Sequence, residues 1–151
     1  MGIDRDILQT KFRNEHQKAT INLIYTNNWI TERIKEFIAT EDITHQQFNI
    51  LRILRGSHPQ PLSTLQIRER MLDKMSDTSR IVDRLVAKGL VKKAISKDDR
   101  RLVDIMITDK GKKLLERLDM REEEMDHIVG NLSKKEATVL SELLDKIRNV
   151  K

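Results

Sequence analysis

Apolar side chains recur every three or four positions along most of this chain, and that pattern gives way once. Leu90-Val91 opens a β-favouring run to Ser96, and Leu102, Val103, Ile105, Met106 and Ile107 form a second. Between them stands a polar turn, Lys97-Asp98-Asp99-Arg100-Arg101, so the two runs predict a hairpin. On either side the spacing is helical. The architecture is therefore expected to be mainly α with one small β-hairpin.

Helix signals divide the remainder. Asp6 to Ala39 contains neither proline nor glycine and reads as one long helix, about 50 Å from end to end. That is longer than a small core can cover, so part of it is expected to pack on another subunit. Thr44-x-x-Gln47 is a capping box opening a second helix, which Gly56 and the run to Pro61 stop. A short helix follows near Ser63–Met71, and Ser76 is expected to cap another that ends at Lys88-Gly89. After the hairpin, Thr108 opens a helix that runs to Gly130, and a second capping box, Ser133-x-x-Glu136, opens the last. The order is a helix-turn-helix with a β-wing flanked by terminal helices. One domain of 151 residues is expected, with the winged lobe at about 44–107 and dimerisation helices at about 6–39 and 108–151.

Composition removes whole classes of function. The chain has no cysteine, hence no disulfide, thiolate nucleophile or cysteine–zinc site. No apolar run approaches the length of a membrane span, and the N-terminus lacks the apolar stretch of a signal peptide, so a cytoplasmic protein is expected. His16, His45, His58 and His127 lack metal-ligand spacing. Glu122-Glu123-Glu124 reads as a solvated helix face. No metal, cofactor or catalytic site is expected.

The net charge of +5 becomes informative once it is located. From Arg68 to Arg101 there are eleven Lys/Arg against six Asp/Glu, which carries the whole excess. A basic centre between neutral arms suits a nucleic-acid reader with a separate assembly region. On a helical wheel Thr78, Ile81, Val82, Leu85 and Val86 share one side, and Ser76, Arg80, Asp83, Arg84 and Ala87 the other. Arg80 and Arg84 can fork onto base edges or phosphates, and Ser76 and Ser79 stand near the helix N-terminus. Lys88, Lys92, Lys93, Lys97 and Arg100 line the approach to the hairpin tip. A partner with an acidic surface would satisfy the same charge. The alternative reading is accordingly a winged-helix protein–protein module, separable from a duplex binder by sequence selectivity and salt dependence.

Three stretches carry a family resemblance. Ser76-Asp-Thr-Ser-Arg-Ile-Val-Asp-Arg-Leu-Val-Ala-Lys-Gly-Leu-Val91, Asp98-Asp-Arg-Arg101 and Ile107-Thr-Asp-Lys-Gly111 together resemble the MarR family of winged-helix regulators, over nearly the whole chain. The resemblance implies a homodimer on palindromic promoter double-stranded DNA, with repression favoured because it needs only occupancy. It assigns Arg101 to the minor groove and Asp99 as its orienting partner, with Ser76, Arg80 and Arg84 as recognition-helix contacts. Many members release DNA on binding a small anionic or phenolic effector or on cysteine oxidation. The absence of cysteine removes the second route here. By analogy with the family's effector position, Tyr25, Trp29 and His45 are the residues to examine for the first.

Overall fold

The computed structural model describes residues 2–150. It contains eight α-helices and one hairpin among them: α1 (Ile3–Asp6), α2 (Glu15–Ile38), α3 (His45–Ser57), α4 (Thr64–Arg70), α5 (Thr78–Ala87), β1 (Val91–Ile95), β2 (Val103–Ile107), α6 (Asp109–Asp119), α7 (Glu122–Asp126) and α8 (Lys134–Arg148). Single 3₁₀ turns at Ala39–Glu41 and His127–Val129 follow α2 and α7.

The expected long first helix is divided. Leu8 takes a left-handed backbone (φ 54°), and the Asn14 side chain then caps α2 by accepting from the Gln17 amide at 2.8 Å. The helix is 24 residues long, not the full Asp6–Ala39 span. The expected Thr108–Gly130 helix is likewise interrupted, at Met120-Arg121, before α7.

Local caps set the other starts. Both expected boxes form, at Thr44–Gln47 and Ser133–Glu136, and a third forms at Ser63–Gln66. Gly89 ends α5 in the left-handed region at φ 73°, a conformation that glycine adopts without steric cost. The strands pair antiparallel from Val91↔Ile107 to Ile95↔Val103. Leu62 exchanges two backbone hydrogen bonds with Ile105, at 3.1 and 2.9 Å, and adds a one-residue third strand. No periodicity announces a strand of that length.

The core is made by the middle of the chain. Phe37 and Ile38 at the end of α2 meet Ile50, Leu51 and Leu54 of α3, Ile67, Val82, Leu85, Ile105, Ile107, and Leu114, Leu115 and Leu118 of α6. Ion pairs fasten α6 and α7 around this cluster. Arg117 donates to both Glu41 oxygens at 2.9 and 2.8 Å, and Arg55 to both Asp119 oxygens at 2.6 and 3.2 Å. Arg121 grips Glu124, the Phe37 carbonyl and Thr40.

Arg117 holds the Glu41 carboxyl below its ordinary value of 4.5. Below 4.5 an unfolded chain takes up a proton that folded Glu41 refuses, so the contribution of this pair is complete above that pH and lost as pH falls through the lower folded value. Glu41→Gln should therefore melt slightly below wild type at neutral pH, and the gap should close as the pH falls below 4.5. A gap that stays constant over that range would show that the pair does not titrate with folding.

Candidate nucleic-acid interface

Helices α3, α4 and α5 pack on one another through Ile50, Leu54, Ile67, Val82 and Leu85, which turns the opposite side of α5 to solvent. Ser79, Arg80, Asp83, Arg84 and Ala87 are all exposed there. Asp77 caps the helix by accepting from the Arg80 amide at 3.3 Å. Ser76 departs from expectation. It is neither the cap nor on the exposed face but 8% exposed, and its hydroxyl, like that of Thr78, has no hydrogen-bond partner among the described residues. The helix starts at Thr78, two residues after Ser76, and the chain before Asp77 is not helical, so its side chains do not follow a helical period.

The hairpin tip fixes one exposed guanidinium. Asp99 Oδ1 accepts from the Arg101 amide at 3.0 Å and from Arg101 Nε at 3.1 Å, while Oδ2 accepts from Nη2 at 3.0 Å. The Arg101 side chain is nevertheless 89% exposed. Its guanidinium pushes the Asp99 carboxyl below the usual carboxylate range, so the fork persists in mild acid. Buried Ser96 anchors the turn from inside, its amide donating to the Leu102 carbonyl at 3.0 Å and its hydroxyl accepting from the Asp98 amide at 3.3 Å.

The lysines on the approach divide by partner. Lys92, Lys97 and Arg100 are exposed, and no ion pair engages them among the described residues. Lys93 on β1 pairs with Asp83 on α5, tying the wing to the helix. Lys88 is turned away from α5's exposed face, its ammonium bonded to the Asp42 carbonyl and 3.5 Å from Gln47 Oε1. It fastens α5 to the start of α3, a contact between positions too far apart in the chain for sequence spacing to reveal.

The three effector candidates do not form one site. Tyr25 and Trp29 lie one turn apart on α2, both partly exposed, with the Arg33 guanidinium 4.6 Å from the Trp29 ring. Trp29 and Arg33 line an open cleft of about 390 Å³ with Phe37, His127 and Ile128, but Tyr25 and His45 do not. His45 sits in the first turn of α3, where burial, and then Lys35, push its imidazole pKa down. Reasoning from sequence also missed Leu72 and Met75. Met71 and Met75 are four positions apart, yet Met71 is buried while Met75 is 90% exposed. Among the described residues no cluster of acidic and histidine side chains could hold a metal ion, and no helix is long and apolar enough to cross a membrane.

A packed three-helix unit with a hairpin carried beyond its third helix, and cationic side chains on both, defines a winged helix-turn-helix protein. The MarR family model matches residues 43–103, and the chain is similar to a MarR transcription factor from Planctomyces limnophilus, 31% identical over 89% of this chain and 98% of that one with a TM-score of 0.66. The chain belongs to the MarR family. Its fold also matches a mutant MarR from Escherichia coli complexed with operator DNA, at a TM-score of 0.80 and 23% identity, covering 91% of this chain and 99% of that one. Among curated proteins it is 29% identical to the HTH-type transcriptional regulator PrsX of Escherichia coli, over 64% of this chain. The match spans only 58% of PrsX.

Proposed function

We propose that the chain is a transcriptional regulator that binds double-stranded promoter DNA sequence-specifically, as a homodimer on a palindromic operator, and represses by occupancy. The observation that carries this reading is Arg101, whose guanidinium is gripped by the Asp99 carboxylate yet whose side chain is 89% exposed at the wing tip. An ordinary surface arginine lies along its own protein. One fixed in water loses side-chain freedom without burying anything, which is useful only if its target arrives from outside. The relatives support the reading: PrsX is a transcriptional regulator, and the mutant MarR with the same fold was crystallised on operator DNA. For effector release, the cleft at Trp29 and Arg33 is the candidate site. Selection of bound sites from random duplex DNA tests the proposal. A selected palindrome is expected, and recovery of an acidic protein partner with no enriched duplex would replace it.

Arg101→Ala should weaken operator binding about 10–100-fold, as loss of a well-placed groove contact does. Asp99→Ala should do part of the same damage, because it frees the arginine. The double variant should lose less than the sum of the two, since both changes disable one fork. Fully additive losses would show that Asp99 does not position Arg101.

Arg80 and Arg84 stand one turn apart on the exposed face of α5, so a two-fold dimer would present two such pairs to successive major grooves, about 10–10.5 base pairs apart or a multiple of it. Arg80→Ala or Arg84→Ala should relax base preference at symmetric positions, because a planar guanidinium fork fits a base edge. Lys92→Ala should weaken all sequences alike and flatten the logarithmic salt slope by about 0.9. Binding-site profiles and salt titrations of each variant decide this. Altered base preference in Lys92→Ala but not in either arginine variant would place the reading head on the wing strand.

A further inference from the structure

Leu72 and Met75 stand in water at 78% and 90% exposure, immediately before the recognition helix. They are held there by bonds on every side. Met71 and Ser76, which flank them, are buried. The Leu72 amide donates to Asn49 Oδ1 of α3 at 2.9 Å, the Met75 amide to Asp73 Oδ1 at 2.9 Å, and the Ser76 amide to the Asp73 carbonyl at 3.2 Å. The Lys74 ammonium closes the turn onto the Glu69 carbonyl. A fastened turn thus carries two apolar knobs that forgo the burial free energy a core position would provide.

The surroundings select what can cover them. The turn lies within Arg68–Arg101, the stretch that carries the whole positive excess. Its two carboxylates, Asp73 and Asp77, are engaged by the amides of Met75 and Arg80. A second copy docked on this turn would set one cationic stretch against another. A duplex complements that charge, and its major groove offers one apolar group, the 5-methyl of thymine.

We propose that Leu72 and Met75 form an apolar contact that reads thymine methyl groups in the major groove, beside the bases faced by Ser79 and Arg80. The proposal rests on the DNA-binding reading above. The unbranched thioether of Met75 adapts to such a small target, and Leu72 supplies a branched surface next to it.

The test uses the full chain and its selected operator, with each thymine replaced in turn by deoxyuridine, which removes the methyl and nothing else. Burying one such group corresponds to about a fourfold gain in affinity, and a symmetric pair to about 15-fold. Wild type should lose that much at one symmetric pair of positions. The double variant Leu72→Ser with Met75→Ser should bind the thymine and deoxyuridine duplexes equally, and both about as weakly as wild type binds the deoxyuridine duplex. Both side chains are exposed, so the variant should melt as wild type does. Wild type indifferent to every replacement would overturn the inference and leave duplex binding intact. So would a loss that persists undiminished in the double variant. If wild type selects no duplex at all, the DNA-binding reading fails first and this inference falls with it.

Discussion

Replacing Leu140 and Leu143 together by glutamate is expected to halve the mass of the protein in solution, from twice the 17.7 kDa chain to the chain itself. Helix α8 is amphipathic and properly capped at Ser133, yet it contains no buried residue. Val139, Leu140, Leu143 and Ile147 recur at helical spacing and are 39–58% exposed. Leu23, Ile24 and Tyr25 of α2 are also left uncovered, as are Val129 and Leu132 just before α8. A 15-residue helix with no packing partner is marginal in water. A two-fold dimer that joins these terminal helices would cover the whole set. Across a two-fold axis each substitution enters twice, so the double variant puts four carboxylates into an apolar interface where nothing pairs them.

None of the core cluster belongs to α8, so the winged lobe should stay folded while the dimer is lost. Operator affinity should fall by about 10²–10⁴, because the second half-site no longer binds intramolecularly. Sedimentation equilibrium at about micromolar concentration, with circular dichroism beside it, reads both effects. A wild-type chain already monomeric there would sink the dimer. An undiminished mass in the variant would move the interface off α8.

Gly111→Ala should destabilise the protein by about 3 kcal/mol, although alanine is the better helix former by about 1 kcal/mol. Gly111 lies in the first turn of α6, where its amide donates to Thr108 Oγ1 at 3.1 Å. A Cβ there would press into the Leu90 carbonyl oxygen, well inside van der Waals contact, and stand 2.7 Å from Ile107 Cγ1. Neither neighbour can retreat. The Leu90 carbonyl accepts from the Thr108 amide at 3.1 Å, and Ile107 is a buried core residue at the end of β2. Gly56, in the last turn of α3, has nothing within 4 Å of a built Cβ. The same substitution there should stabilise by about 0.5–1 kcal/mol. At about 2–4 °C per kcal/mol for a chain of this size, Gly111→Ala should melt roughly 10 °C lower and Gly56→Ala a few degrees higher. Shifts of the same sign would mean that helix propensity outweighs the close approach at Gly111.

Much that depends on neighbours within a few residues was legible in the amino-acid sequence, although the equally local Ser63–Gln66 box and the Asn14 and Asp77 caps emerged only in the structure. Thr44 reaches Gln47 and Ser133 reaches Glu136 across three positions, so those helix starts are decided within the chain itself. The change of apolar period at Leu90 marks the hairpin, and the close spacing of Asp99 and Arg101 already allows the fork that the structure contains. The location of the +5 excess is likewise a property of the sequence alone.

Only the tertiary structure decided which members of a pattern face inward. Met71 and Met75 are the same residue type four positions apart, yet one is core and the other stands in water, because Asn49, 23 residues upstream, takes the Leu72 amide and turns the chain between them. Ser76 is buried because the helix starts at Thr78, two residues later than the wheel assumed. Lys88 faces Asp42 and Gln47, and Leu62 joins the hairpin through Ile105, across separations of more than forty residues. Such contacts form only after distant elements have packed and the core brings a donor and an acceptor far apart in the chain within reach of each other.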